Sequence, residues 1–310
     1  MEFTEIKIEI PAKDTETASA IANMVVPYGI YVEDYSDLRE GVMDIAHVDL
    51  IDEDLLKKSA DVSVIHIYLS ECDNPSESVG YLAERFRFAG IEYKIVTDTV
   101  DDSSWNENWK KYFKAFSVGE KLAVCPSWEK YENTENRRVI SLDPGAAFGT
   151  GGHATTWLCM NLLEKYVDQD TKLLDVGTGS GILSIAALLL GAESATGVDI
   201  DELSVKTAKE NAERNNISEK CEFLVGDLAE KVSGRYNVIC ANIVADVVIR
   251  LFENIADYME SGAKLIVSGI IDMRSGDVEE AAKKSGFKIT DHETKEEWHA
   301  YVLEAEENNA

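Results

Sequence analysis

Apolar and polar residues alternate along 3–10, the two-residue period of a strand with one buried face. Over 15–24 the apolar positions take helical spacing, and 30–33 is a short strand entered through Gly29. Alternation returns at 62–69, after an acidic stretch. Residues 76–88 place Val79, Leu82, Ala83 and Phe86 on one helix face, and 91–96 reads as a last strand. The order β-α-β-β-α-β predicts a ferredoxin-like α+β domain over residues 1–98. Residues 99–140 read as linker and bridge. Asp101, Asp102, Ser103 and Ser104 break regularity. Trp109, Tyr112, Phe113 and Phe116 then recur at spacings of three and four, which predicts one aromatic helix face docked on the C-terminal domain. Strands are expected at 121–125 and 137–142.

Beyond Thr171 the two periods alternate. Strands are predicted at 173–176, 195–200, 222–225, 238–241 and 264–269, with helices at 182–190, 204–215, 244–259 and 278–285. Such alternation builds a mostly parallel sheet covered on both faces, an α/β domain over residues 141–310. Two final strands, 287–290 and 298–303, have no helix between them and are expected to pair antiparallel at the edge. The polar tail from Glu304 reads as frayed.

Composition narrows the partners. The hydrophobic fraction of 45% supports more than one core. The formal net charge is -28, and the first hundred residues share the bias, with 21 acidic against 8 basic. Such a surface repels phosphates and anionic membranes and attracts a basic protein, although solubility alone also explains it. No basic flank and apolar run opens the sequence, and the longest apolar run, 185–190, falls short of the roughly 18 residues that span a bilayer. Five scattered cysteines with no CxxC pair suggest neither a disulfide framework nor a metal site. The expectation is a soluble cytoplasmic protein.

Candidate chemistry concentrates in LLDVGTGSGIL, residues 173–183. A buried strand runs into Gly177, Gly179 and Gly181 and then into a helix, so the backbone can turn tightly and approach a ligand. Asp199 ends the next strand, 22 positions beyond Gly177, where a carboxylate accepts from both ribose hydroxyls of a nucleoside. A dinucleotide fingerprint would carry glycine at position 182, which is isoleucine. That argues against a nicotinamide-dependent oxidoreductase. The G-x-G-x-G spacing after Asp175 suits an adenosylmethionine-binding fold. Asp227 and Asn242 follow the third and fourth strands, placed for the adenine amino group and for the reacting methyl respectively. Each taken singly also reads as a turn former.

Upstream lies LDPGAAFGTGGHATT, residues 142–156. With LLDVGTGSGILSIAA, GVDID, ANIVADVV and the EEW at Glu296 to Trp298, it resembles the ribosomal large-subunit protein eleven methyltransferases (PrmA). Asp143, Pro144, Gly145, Ala147, Phe148, Gly149, Thr150, Gly151, His153, Thr155 and Thr156 match that family's signature, whereas Gly152 and Ala154 stand where Thr and Pro are usual. The likeness is strong over about 101–303 and architectural before that. It implies a class I methyltransferase domain, a Rossmann-like and mostly parallel seven-stranded sheet with an antiparallel edge, behind a ferredoxin-like substrate-recognition domain. It implies S-adenosyl-L-methionine as methyl donor, bound by Thr156, Gly177, Asp199 and Asn242, and the loop and strand-end reading adds Gly179, Gly181 and Asp227. The acceptors would be lysine and N-terminal amines of a basic large-subunit ribosomal protein, with no direct nucleic acid contact. The enzyme is expected to be monomeric. Asn242, Phe148 and His153 are the catalytic candidates, His153 reading equally as a structural hydrogen-bonding residue.

Overall fold

The computed structural model describes residues 3–23, 30–34, 61–70, 75–97, 114–142, 149 and 151–306. Spatial proximity of Cα positions divides the chain into two compact units, Met1–Phe113 and Lys114–Ala310.

The first unit comprises β1 (Phe3–Pro11), α1 (Thr15–Asn23), β2 (Ile30–Glu33), β3 (Val62–Ser70), α2 (Pro75–Phe88) and β4 (Lys94–Thr97). Its sheet is antiparallel in the order β2-β3-β1-β4. That is the split βαβ arrangement the element order predicts. The alternation has its physical counterpart here: Ile6, Ile8 and Ile10 of β1 and Ile65, Ile67 and Leu69 of β3 are all buried. Val79, Leu82, Ala83 and Phe86 are buried from the α2 side. The last strand is shorter than expected. Gly90 adopts a φ of 69°, the Ile91 amide donates to the Phe86 carbonyl at 2.9 Å, and Ile91 is buried. Ile91 is thus the apolar residue that closes a helix C-terminus rather than the first of a strand.

In the second unit, β5 (Phe116–Val118), β6 (Leu122–Cys125) and β7 (Arg138–Ser141) form a three-stranded sheet. Phe116 pairs with Val124 there, which overturns its expected place on a helix; Trp109, Tyr112 and Phe113 lie outside the described residues. Residues 148–156 of the signature motif read from the sequence as a loop, but the last three begin a helix: α3 (Ala154–Tyr166). The carboxylate of Glu164 on α3 accepts from the amides of Glu120, Lys121 and Leu122 at 2.9–3.0 Å, binding the β5–β6 turn to the helix. Val118, Leu122, Val124 and Ile140 of the small sheet join Leu158, Leu162 and Leu163 of α3 in one apolar cluster.

Next come β8 (Lys172–Val176), α4 (Ile182–Leu190), β9 (Ser194–Asp199), α5 (Glu202–Arg214), β10 (Cys221–Val225), β11 (Tyr236–Asn242), α6 (Ala245–Leu251), β12 (Met259–Ile271), α7 (Asp272–Lys284), β13 (Phe287–Lys295) and β14 (Trp298–Ala305). The seven-stranded sheet has the order β10-β9-β8-β11-β12-β14-β13. Its first five strands are parallel, and β14 and β13 add antiparallel at the edge as expected. The helix expected over 244–259 ends at Leu251. Ile255–Tyr258 is a 3-10 turn, and Met259 already pairs with Tyr236. Its apolar spacing persists because Ile255 and Met259 face the same core cluster as Val248 and Leu251. Strand order reverses between β9-β8 and β8-β11, which opens a crevice at the carboxyl ends.

Candidate active site

Most of this crevice is built from strand ends, and helix α3 adds Thr156. Val176 of β8 is followed by Gly177 and Thr178, whose amides both donate to the Val198 carbonyl at 2.8 and 3.0 Å. Gly177, Gly179 and Gly181 have φ of 73°, 53° and 83°, a region that costs an L side chain energy but not glycine. A Cβ on Gly177 would sit 2.4 Å from the Ile243 side chain. Gly181 caps the N-terminus of α4. Beneath the loop Asp175 is wholly buried. Its Oδ2 accepts from the hydroxyls of Thr178 and Ser184 at 2.7 and 2.8 Å, while Oδ1 has no partner. Burial pushes this carboxyl up to about 6 and the charge of Asp199 adds to the rise, against the pull of Thr178 and Ser184.

Asp199 grips the loop from the next strand. One carboxylate oxygen accepts from Gly179 N at 2.8 Å and the other from Asp201 N at 3.0 Å. Its carboxylate is therefore held in one orientation at the end of β9. Ile200, directly after it, is largely exposed and offers an apolar surface beside the carboxylate. Asn242 ends β11, and its Nδ2 donates to Thr156 Oγ1 at 3.2 Å. Thr156 is buried in the first turn of α3. The structure thus joins two candidates that lie 86 positions apart in sequence. Asp227 follows β10, where its carboxylate meets Arg250 at 2.8 Å.

His153 is the N-cap of α3. Its Nδ1 accepts from Thr155 N at 3.3 Å and bonds the Thr155 hydroxyl at 2.8 Å, and its ring lies edge-on to Trp298. These contacts give it a structural task, the alternative left open in the sequence. Phe148, the remaining catalytic candidate, falls outside the described residues.

Residues that spacing could not reveal bind the signature segment to the glycine loop. The Ser180 hydroxyl donates to the Gly149 carbonyl. A Cβ on Gly151 would meet Ile182 at 2.9 Å, Val124 at 3.1 Å and Phe116 at 3.3 Å. Asn211 donates to the Ser180 carbonyl, and the Asn215 amide makes a two-way bond to the backbone of Ser141. Ile182 is buried in the core cluster, so the third glycine of a dinucleotide loop has no counterpart here. The donor set fits a nucleoside bearing an amino acid: a half-buried glycine turn, a fixed carboxylate for a ribose, an apolar face for a ring. Among the described residues no group of three acidic, cysteine or histidine side chains is placed to hold a metal ion.

Fold and crevice together define a class I adenosylmethionine-dependent methyltransferase. The family profile for ribosomal protein L11 methyltransferase (PrmA) matches residues 2–306. Ribosomal protein L11 methyltransferases of Clostridium perfringens strains SM101 and 13 are each 35% identical over 310 residues, covering 97% of this chain and 99% of their own length. The crystal structure of a ribosomal protein L11 methylase from Lactobacillus delbrueckii subsp. bulgaricus is 32% identical. It superposes with a TM-score of 0.59 over 63% of this chain and 99% of that one. The chain belongs to the ribosomal protein L11 methyltransferase (PrmA) family. No helix among the described residues is long and apolar enough to cross a membrane.

Proposed function

We propose that the crevice transfers methyl groups from S-adenosyl-L-methionine to amines of ribosomal protein L11, lysine side chains and the N-terminal amine among them. Asp199 would take the ribose hydroxyls, with Ile200 beside the adenine ring and Asp227 near its amino group. Gly177, Gly179 and Gly181, in the loop that opens α4, would take the amino acid end, where the positive end of the helix dipole favours a carboxylate. The observation that carries the reading is the Asn242–Thr156 hydrogen bond at the strand end beside the clamped loop.

The donor brings a methyl already activated on a sulfonium. The chain's task is alignment and desolvation. With Nδ2 committed to Thr156, Asn242 presents its carbonyl oxygen as acceptor for an incoming amine. A free lysine has a pKa near 10.4. Enclosure disfavours its charged form, so the amine sheds a proton to solvent before it reacts. Proximity and orientation lower barriers by about 7–11 kcal/mol in favourable cases, which leaves little for a general base to do.

The first unit is assigned the recognition of the substrate protein, since none of the crevice residues comes from it. A basic substrate suits a chain of net charge -28, and the same charge disfavours direct contact with nucleic acid. We assign a monomer acting in the cytoplasm. Asn242→Ala tests the chemical assignment. Turnover on L11 is expected to fall at least about tenfold, while adenosylmethionine affinity changes little. Equal losses in both would reduce Asn242 to a cofactor ligand.

A further inference from the structure

Two large apolar side chains stand out in water on the segments that follow β11 and β12, the strand that Asn242 ends and its neighbour. Val244 is 65% exposed and Met273 is 80% exposed. Both sit at the carboxyl edge of the large sheet. Val244 caps α6, two residues after Asn242, and Met273 lies in the first turn of α7, two residues after β12 ends. The strands they follow are neighbours, Asn242 pairing with Ser268. The two helix starts are joined by an ion pair, Arg274 Nη2 to Asp246 Oδ1 at 2.6 Å, and Arg274 also meets Asp277 at 2.8 Å. His299 holds Asp272 in a similar way.

Two exposed apolar side chains thus lie at adjoining helix starts, among exposed carboxylates. Asp246 and Asp272 remain 76% and 66% exposed although each is held by a partner. Asp246 and Asp277 share one guanidinium, and Arg274 keeps Asp246 below the usual carboxylate range, so it stays charged. Exposed apolar side chains gain from being covered, and carboxylates already fixed in place lose little freedom when a cation arrives. Both properties suit a lysine, whose methylene stem packs on apolar surface while its ammonium seeks a carboxylate.

We propose that Val244 and Met273 form a docking shelf for the lysine-bearing segment of the substrate protein. The methylene stems pack on these two side chains, and neighbouring positive charges lie on Asp246 and Asp272. The inference rests on the reading of Asn242 as the residue that meets the target amine. It adds that substrate selection is made partly at the catalytic mouth and not only by the first unit.

The test uses the full chain and unmethylated ribosomal protein L11. In the double variant Val244→Ser with Met273→Ser, kcat/KM for L11 should fall about tenfold, mainly through KM. Adenosylmethionine affinity by calorimetry and the melting temperature should hold, because both side chains are exposed. Restoring bulk with Val244→Ile and Met273→Leu should return KM to near the wild-type value. An unchanged KM in the double serine variant overturns the shelf, as does a loss that the apolar pair fails to rescue. Asn242→Ala, run alongside, separates the two readings. Full turnover there defeats the site assignment, whereas lost turnover with an indifferent serine variant defeats the shelf alone.

Discussion

At the scale of single residues, Asp175 is the costliest choice the sequence makes. A carboxyl sealed beneath the glycine loop, with one oxygen unpartnered, resists ionisation, hence its rise from 3.8 to about 6. Its two hydroxyl partners lie on either side of the turn, so it fixes the loop's shape. The sign of its effect on stability follows from linkage. Below about pH 4 it is neutral in both folded and unfolded chains and costs nothing. Between there and about 6 the unfolded chain ionises first. Folding then loses stability as pH rises, on the order of 3 kcal/mol by neutrality. Asp175→Asn carries no charge to bury. The difference in melting temperature between variant and wild type should therefore move in the variant's favour from pH 4 to pH 7. Parallel curves across that range would show that Asp175 ionises as easily folded as unfolded.

Among elements, α3 joins three pieces of the second unit: Glu164 holds the β5–β6 turn, Thr156 reaches Asn242, and Asn161 bonds Glu293 on β13. Glu164 accepts three amide hydrogens with one carboxylate, and a Cβ on Gly119 would collide with that carboxylate at 2.6 Å. Glu164→Ala should destabilise the chain by about 2 kcal/mol, the scale of hydrogen bonds to a charged group, softened by partial exposure. Chemical denaturation would measure it, and a loss below about 0.5 kcal/mol, typical of surface substitutions, would make the contact incidental. This helix also shows where the sequence was hard to read. Its apolar face at Leu158, Cys159, Leu162 and Leu163 is regular, but its first turn is the end of a motif that reads as a binding loop. Phe116 misled for a related reason. Its spacing from Tyr112 and Phe113 is helical, while its actual partner, Val124, is set by a turn at Gly119 with φ of 51°. In β8 through β10 and in α4, period and punctuation agreed, and Gly177, Asp199 and Asp227 lie at or just beyond the strand ends that the sequence placed there.

Over the whole molecule the chain divides into a small antiparallel unit and a large, mostly parallel one. The order of elements along the chain and the strand-end residues were legible in the sequence because each follows from a local pattern, a buried strand running into a turn. Contacts such as Ser180 to Gly149 or Asn215 to Ser141 were not, because they join segments 31 and 74 positions apart and follow no spacing rule. The central claim is that Asp199, clamped by Gly179 N, holds the methyl donor at the crevice. Calorimetry of adenosylmethionine binding to the full chain and to Asp199→Ala tests it most directly. The account predicts a single site in the wild type and a loss of about 1.5–3 kcal/mol in the variant, the cost of removing hydrogen bonds to a charged group. Unchanged affinity in Asp199→Ala would contradict it.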